Sequence, residues 1–270
     1  MIETLKILDT FAGIGGFSYA AHELVGGFET TQFVEIDPFC QKVLKKHFPK
    51  VPCHDDIKTF TAFPGQFDVI TGGFPCQDLS VAGKRAGITK QSRSGLFYEL
   101  IRVIRLVRPK FVVMENVAAI LNNGLGIVLG ELSEAGYDAE WSIISASSLG
   151  AAHRRSRWWC VAYANSNKRK TGNQQLQQQG QTTTGSSFVT DSNSKGLQRK
   201  ILSKMESGIW SAKHIRRLDP NWRSYVSKPI LLRGSYGLSN RVDRTKALGN
   251  SIVPSVAAIP LQRVHDLYFK

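Results

Sequence analysis

An α/β fold is predicted: a doubly wound mixed sheet with a small inserted module. Three observations predict it. Apolar runs of strand length recur over the first 164 residues, alternating with stretches of helical period. Three chemically able residues, Glu35, Cys76 and Glu115, each follow such a run, where open α/β sheets place their ligands. The excess positive charge is concentrated in one block without a long period. Residues 1–164 are expected to form the main domain, residues 165–246 the insert, and residues 247–270 a return segment that completes the main domain.

The elements follow in order. Residues 5–11 read as a buried strand, and Ala12-Gly13-Ile14-Gly15-Gly16 as a glycine turn before a helix from Phe17 to about Val25. Strand, glycine turn, helix brings backbone N–H groups close to a ligand. The spacing is not G-x-G-x-x-G, so a dinucleotide is not implied, and a merely tight connection is the plainer alternative. Residues 31–36 form a second strand ending in Glu35, placed to accept bonds from two ribose hydroxyls. Asp37 is expected as an N-cap with Pro38 at the first helical position of a helix running through His47, which leaves Glu35 free for a ligand. A short third strand lies near Val51. Asp55-Asp56-Ile57 after it either bonds an adenine amino group or is a turn.

Residues 67–71 form the next strand, followed by Gly72-Gly73-Phe74-Pro75-Cys76-Gln77. Two glycines permit a sharp turn, and Pro75 restricts both itself and Phe74. A cysteine held in such a loop is a candidate nucleophile, since a polar loop or nearby cations lower a thiol's pKa; the plain alternative is a buried apolar Cys. Residues 81–94 are glycine-rich and basic, without helical or strand period, and read as a mobile lid or a substrate clamp. A helix over 96–107, a strand over 110–114 ending in Glu115-Asn116-Val117, a helix near 125–135 and strands at 138–147 and 158–163 complete the sheet. In His153-Arg154-Arg155-Ser156-Arg157, strand alternation sends Arg155 and Arg157 to one side, where two guanidiniums suit a phosphate or a base carbonyl. Pro254 opens a C-terminal helix to about Tyr268.

The chain of 270 residues has a net charge of +14. Residues 165–246 hold 16 Lys and Arg against four acids, while the rest holds 19 against 17. Such a block suits a polyanion, nucleic acid first, with a solvated basic surface or a ribosome or membrane patch as alternatives. Residues 173–181 are Gln-rich and linker-like, and residues 188–244 are basic with scattered aromatics. No apolar run approaches the roughly eighteen residues of a membrane span, and the N-terminus lacks a signal-peptide pattern. Cys40, Cys53, Cys76 and Cys160 show no close pairing and read as reduced cytoplasmic thiols. Cys53-His54 has no second ligand pair at zinc spacing, so no metal is expected.

With these residues assembled, the chain resembles a DNA (cytosine-5) methyltransferase of bacterial or phage type. The resemblance covers nearly the whole chain except residues 165–222. It rests on Asp9-Thr10-Phe11-Ala12-Gly13-Ile14-Gly15-Gly16, Gly73-Phe74-Pro75-Cys76-Gln77, Glu115-Asn116-Val117, His153-Arg154-Arg155-Ser156-Arg157 and Leu248-Gly249-Asn250-Ser251, in that order. His153 stands where the family usually has Gln. The resemblance implies a Rossmann-like methyltransferase domain binding S-adenosyl-L-methionine (AdoMet) without a metal. Phe11, Gly13, Gly15, Glu35, Ile36, Asp56, Ile57, Pro75, Leu96, Asn250, Ser251 and Ile252 would then line the cofactor pocket. Cys76, Glu115, Arg155 and Arg157 would do the chemistry, and Gln77, Ser80, Lys84, Arg85, Arg93 and Arg233 would touch DNA.

The residue types fit that reaction. A thiolate adding to cytosine C6 makes C5 able to take a methyl group. Glu115 at N3 draws charge from the ring, and Arg157, with Arg155, bonds the base O2. The target base must leave the stack. Double-stranded DNA is the expected partner, the chain a monomer, and a cognate restriction endonuclease a functional rather than a physical partner. A tRNA-methylating relative is the first alternative, but the insert lacks that branch's Cys-Phe-Thr tripeptide. A catalytically silent DNA-binding regulator is the second, and intact Cys76, Glu115 and Arg157 argue against it.

Overall fold

In the computed structural model, residues 3–75, 95–151, 153–165, 243 and 247–269 are described. Seven strands form one sheet in the order β3-β2-β1-β4-β5-β7-β6. They are β1 (Leu5–Thr10), β2 (Phe28–Val34), β3 (Cys53–His54), β4 (Val69–Gly72), β5 (Phe111–Val117), β6 (Tyr137–Ser145) and β7 (Ser156–Ala164). β7 runs antiparallel to both β5 and β6, and the other pairings are parallel. This is the doubly wound mixed sheet that the sequence predicts. β1 lies between β2 and β4, so the chain's winding reverses beside β1 and opens a crevice at the strands' C-terminal ends.

Period-2 alternation divides the core into two layers. Val112 and Met114 of β5, with Trp158 and Cys160 of β7, face a cluster built on α3 (Leu96–Val107), α4 (Ile120–Asn123) and α5 (Leu125–Glu134). Phe111 and Val113, with Trp159 and Val161, face the opposite cluster, built on α1 (Gly16–Tyr19) and the terminal helix α6 (Pro254–Tyr268). In α3, Phe97, Leu100, Ile101 and Ile104 are fully buried at the i, i+3, i+4, i+7 spacing of one helical face. The helix stops at Arg108, which turns left-handed at φ 51° just before Pro109. Among the described residues, no helix is long and apolar enough to cross a membrane.

Most expected boundaries hold within a few residues. Helix α2 (Pro38–His47) is capped by the Asp37 carboxylate, which accepts from the Phe39 and Cys40 N–H groups, with Pro38 in its first turn. The first helix differs: after one α-helical turn it becomes a π-helical turn over Ala20–Val25, closed by the Gly26 N–H donating to the Ala21 carbonyl. Glu115 lies inside β5 rather than past its end, because β7 pairs with β5 as far as Val117. The predicted insert lies outside the described residues apart from its edges.

Candidate active site

The site is built from three loops at the C-terminal edge of the parallel strands. The first follows β1. Phe11, Gly13 and Gly15 all have positive φ, of 51°, 56° and 87°. A Cβ on Gly13 would meet nothing within 4 Å, so this glycine serves backbone conformation and leaves open space beside it. The Glu35 carboxylate reaches into this loop. Its Oε2 accepts from the Gly13 N–H at 2.7 Å and its Oε1 from the Asp37 N–H at 2.8 Å. Glu35 is therefore not the free acid expected from the sequence: it ties the glycine loop to the start of α2. Two bonds use about half of a carboxylate's lone pairs, which leaves acceptor capacity for ligand hydroxyls. Beside it, Ile36 is 69 % exposed. An apolar side chain left outside the core beside an acceptor and a glycine-lined space fits a ligand with paired hydroxyls and an adjoining flat ring.

Of the other expected cofactor residues, Asp56 caps its own turn, its Oδ1 accepting from the Lys58 N–H at 3.0 Å. The Ile57 side chain is 4 % exposed and sits in the α3-side core, and its carbonyl accepts from Arg102. Phe11 and Leu96 pack partly buried against the same cluster, from two elements that flank the crevice.

The second loop follows β4. Gly72 passes so close to Thr10 that a Cβ would lie 2.6 Å from its Oγ1. Phe74 is 2 % exposed and packs on Phe97 with ring centroids 5.0 Å apart. The buried Asn116 donates from Nδ2 to the Phe74 carbonyl at 3.2 Å and accepts from the Val117 N–H. A core anchor and a side-chain strut thus fix the backbone up to the half-buried Pro75. Cys76, Gln77, Ser80, Lys84, Arg85, Arg93 and Arg233 lie outside the described residues.

Next to this loop is the Glu115–Arg157 pair. Glu115 faces Trp159 across the β5–β7 ladder, so Arg157 is its diagonal neighbour on the same face. Arg157 Nε stands 3.0 Å from Glu115 Oε1. The other oxygen lies against Gly73, where a Cβ would come within 3.4 Å of it. Burial pushes the Glu115 carboxyl above its ordinary range, while the Arg157 and Arg155 cations pull it back. An acid poised this way can hold a proton against a ring nitrogen while a cation stands by for the adjacent oxygen.

Arg155 does not share that face. It precedes β7 and has φ 30°, so strand alternation does not govern it. Its Nη1 donates to the Gly249 carbonyl at 2.7 Å and its Nη2 to the Ser251 carbonyl at 2.6 Å. These carbonyls belong to the third loop, the return segment. Ser251 Oγ donates to the Leu248 carbonyl, closing a turn. Ile252 packs over Gly16, where a Cβ would lie 2.8 Å from its Cβ and 2.9 Å from its carbonyl oxygen. His153 is exposed.

Sequence reasoning missed one group. Asp9, fully buried in β1, accepts from Thr71 Oγ1 and from Ser18 Oγ, each at 2.7 Å, and Thr30 Oγ1 donates to Ser18. Burial is the main cause that raises its pKa to about 7. The signal available was one acid in an otherwise apolar strand. It joins β1 to β4 just below the first two loops.

A family model described as C-5 cytosine-specific DNA methylase matches residues 5–247. The Type II methyltransferase M.CviJI of Paramecium bursaria Chlorella virus IL3A is 38% identical over 162 residues, covering 59% of this chain and 43% of that protein. M.HhaI of Haemophilus parahaemolyticus is 31% identical over 165 residues, covering 60% and 50%. Among solved structures, a mutant of Spodoptera frugiperda DNMT2 is similar with a TM-score of 0.50 and 26% identity, over 60% of this chain and 50% of that one. The chain spans half or less of the length of these relatives.

Proposed function

Because the chain belongs to the C-5 cytosine-specific DNA methylase family, we propose that it transfers a methyl group from AdoMet to C5 of a cytosine flipped out of duplex DNA. The observation that carries this reading is the partly buried Glu115–Arg157 pair, set against the loop that leads into Cys76. Gly13, Glu35 and Ile36 would hold AdoMet, which when bound would supply the methyl group. The Cys76 thiolate adds to C6 of the base. Glu115 holds a proton at N3, so that the negative charge developing in the ring is met at that atom. Its burial keeps the acid form populated at higher pH than an exposed glutamate would. Arg157, braced on Glu115, donates to O2. Once C5 has taken the methyl group, its proton passes to solvent, the C6–S bond breaks to return the Cys76 thiolate, and N3 gives its proton back to Glu115 as the aromatic ring re-forms. Asn116 and Phe74 act earlier, by setting the backbone from which Cys76 attacks.

Base flipping costs a few kcal/mol. The basic residues 80–94 supply groups that can fill the vacated stack, and residues 165–246 supply 16 basic side chains for the DNA backbone. The test is Cys76→Ser with tritiated AdoMet and duplex DNA. Transfer should vanish while AdoMet and DNA binding persist, since the hydroxyl is nearly isosteric and far less nucleophilic. Turnover above a few per cent of wild type would remove the covalent step. Label appearing in tRNA but not in DNA would move the substrate.

A further inference from the structure

We propose that Arg155 is a positioning residue for residues 249–252 and not a contact to the base. Through it the return segment is shaped to close two loops at once: the glycine loop that receives the cofactor, and the loop that leads to Cys76. This inference rests on the methyltransferase reading for its kinetic consequences, but its structural content stands on the geometry alone.

The two arginines that bracket Ser156 are used differently. Arg157 is committed to Glu115. Arg155 spreads its fork across two carbonyls two residues apart, Gly249 at 2.7 Å and Ser251 at 2.6 Å. A planar guanidinium can hold two acceptors at fixed separation, and an ammonium cannot. Those two bonds set the orientation of the 249–250 and 251–252 peptides, with Asn250 between them. Its backbone is also unusual. At φ 30° Arg155 adopts a conformation that side-chain-bearing residues rarely keep unless their surroundings enforce it. The left-handed turn takes its side chain out of the alternation that aims Arg157 at Glu115 and toward the return segment.

What the clamp positions is Ile252, the residue next to Ser251. Its Cβ and carbonyl press on Gly16 at the start of α1. Its Cδ1 lies 3.7 Å from where a Cβ on Gly73 would be, and Gly73 is the residue that also borders Glu115 Oε2. One side chain therefore touches the cofactor loop and the nucleophile loop, and its own placement depends on a turn that Arg155 holds. The sequence of contacts runs from Arg155 to the 249 and 251 carbonyls, to Ile252, and then to Gly16 and Gly73. Both terminal nitrogens of Arg155 already serve the return segment.

The experiment compares wild type, Arg155→Ala, Arg155→Lys and Arg157→Ala in the full chain. Hydrogen exchange on the free protein reads the clamp directly. Arg155→Ala should raise amide exchange at 249–253 about tenfold or more while α6 stays protected, since only a local opening is involved. Arg155→Lys, keeping charge without the fork, should open the same amides to a lesser degree. In kinetics, Arg155→Ala should raise KM for AdoMet roughly tenfold, the lower end of what a charged hydrogen bond contributes, with KM for DNA little changed. Arg157→Ala should do the reverse, losing turnover with AdoMet binding intact. Unchanged exchange at 249–253 in both Arg155 variants overturns the proposal. So does normal AdoMet binding by Arg155→Ala combined with loss of covalent capture of a 5-fluorocytosine duplex. If Arg155→Ala deprotects α6 as well, Arg155→Lys decides. If wild type methylates no DNA, the methyltransferase reading fails, and the exchange contrast still decides the clamp.

Discussion

Asp9→Asn separates the cost of burying a carboxylate from the benefit of its hydrogen bonds. Asp9 is fully buried in β1, with Thr71 and Ser18 hydroxyls on its two oxygens. Burial outweighs these donors and moves its pKa from 3.8 to about 7. Between those values the folded protein holds a proton that the unfolded chain has released. Stability attributable to this group is therefore full at low pH, declines as pH rises through the window, and levels off above about 7. Each pH unit inside the window is worth at most about 1.4 kcal/mol, so the whole shift amounts to about 4 kcal/mol. Two units lie between pH 5 and 7, so a series from pH 5 to 8 should read about 3 kcal/mol. Asn keeps the shape and cannot ionise. Its amide nitrogen needs one of the two hydroxyls to turn and accept, which rotors allow. Urea denaturation of both proteins at each pH cancels every other titrating group in the difference. The wild type should lose ground steadily to Asp9→Asn from pH 5 to 7 and run parallel to it above. A difference that stays level across this range would show that Asp9 is ionised throughout, with its donors outweighing burial.

Four further outcomes are expected. Glu35→Ala should weaken AdoMet binding by about 1.5–3 kcal/mol, the value of hydrogen bonds to a charged group, because it removes both a ligand acceptor and the tie to Gly13. Calorimetry that finds unchanged affinity would leave Glu35 a purely structural role. Glu115→Gln should lower methyl transfer by roughly a hundredfold to ten-thousandfold and leave AdoMet affinity alone. Wild-type turnover should decline as pH rises through the upward-shifted Glu115 pKa, a limb that pH–rate profiles should not show in the variant. DNA affinity should fall with salt at a log–log slope of about −4 to −5, if a third of the basic residues in 165–246 meet phosphates. Exchanging residues 188–233 for a relative's segment should change the methylated sequence, as read by bisulfite sequencing, while methylation of the original site would place recognition elsewhere.

The fold was legible wherever periodicity and punctuation agree. The α3 boundaries, the Asp37 cap and Pro254 at the head of α6 follow from local rules whose physics acts within one or two turns. The positions of Glu115 and Arg157 were legible as chemistry, but their pairing depended on an antiparallel register that sequence spacing does not reveal. Glu35 shows the limit more sharply. Its strand-end place was readable, yet the Gly13 and Asp37 N–H groups on its oxygens come from backbone brought together by the fold. Ile57 shows a related limit: an apolar residue after an acid reads the same in sequence whether it packs inward or faces a ligand, and its side chain packs inward. Arg155 followed strand alternation on paper, and one left-handed residue before β7 cancelled it.

Strand β7 sets a demand on the chain that follows it. Running against its neighbours, it enters the sheet beside Val117 at the rim of the site and leaves beside Phe111 at the far edge, where the Ala164 N–H donates to the Lys110 carbonyl. Gly249 and Ser251, however, are held back at the rim. Nine residues of strand at roughly 3.3 Å each separate those edges by about 30 Å. Whatever joins Asn165 to Gly249 must cover that depth, which needs about nine extended residues before any is left for another task. A deletion that leaves fewer than about nine residues between Asn165 and Gly249 could not close this distance, whatever the letters of those that remain.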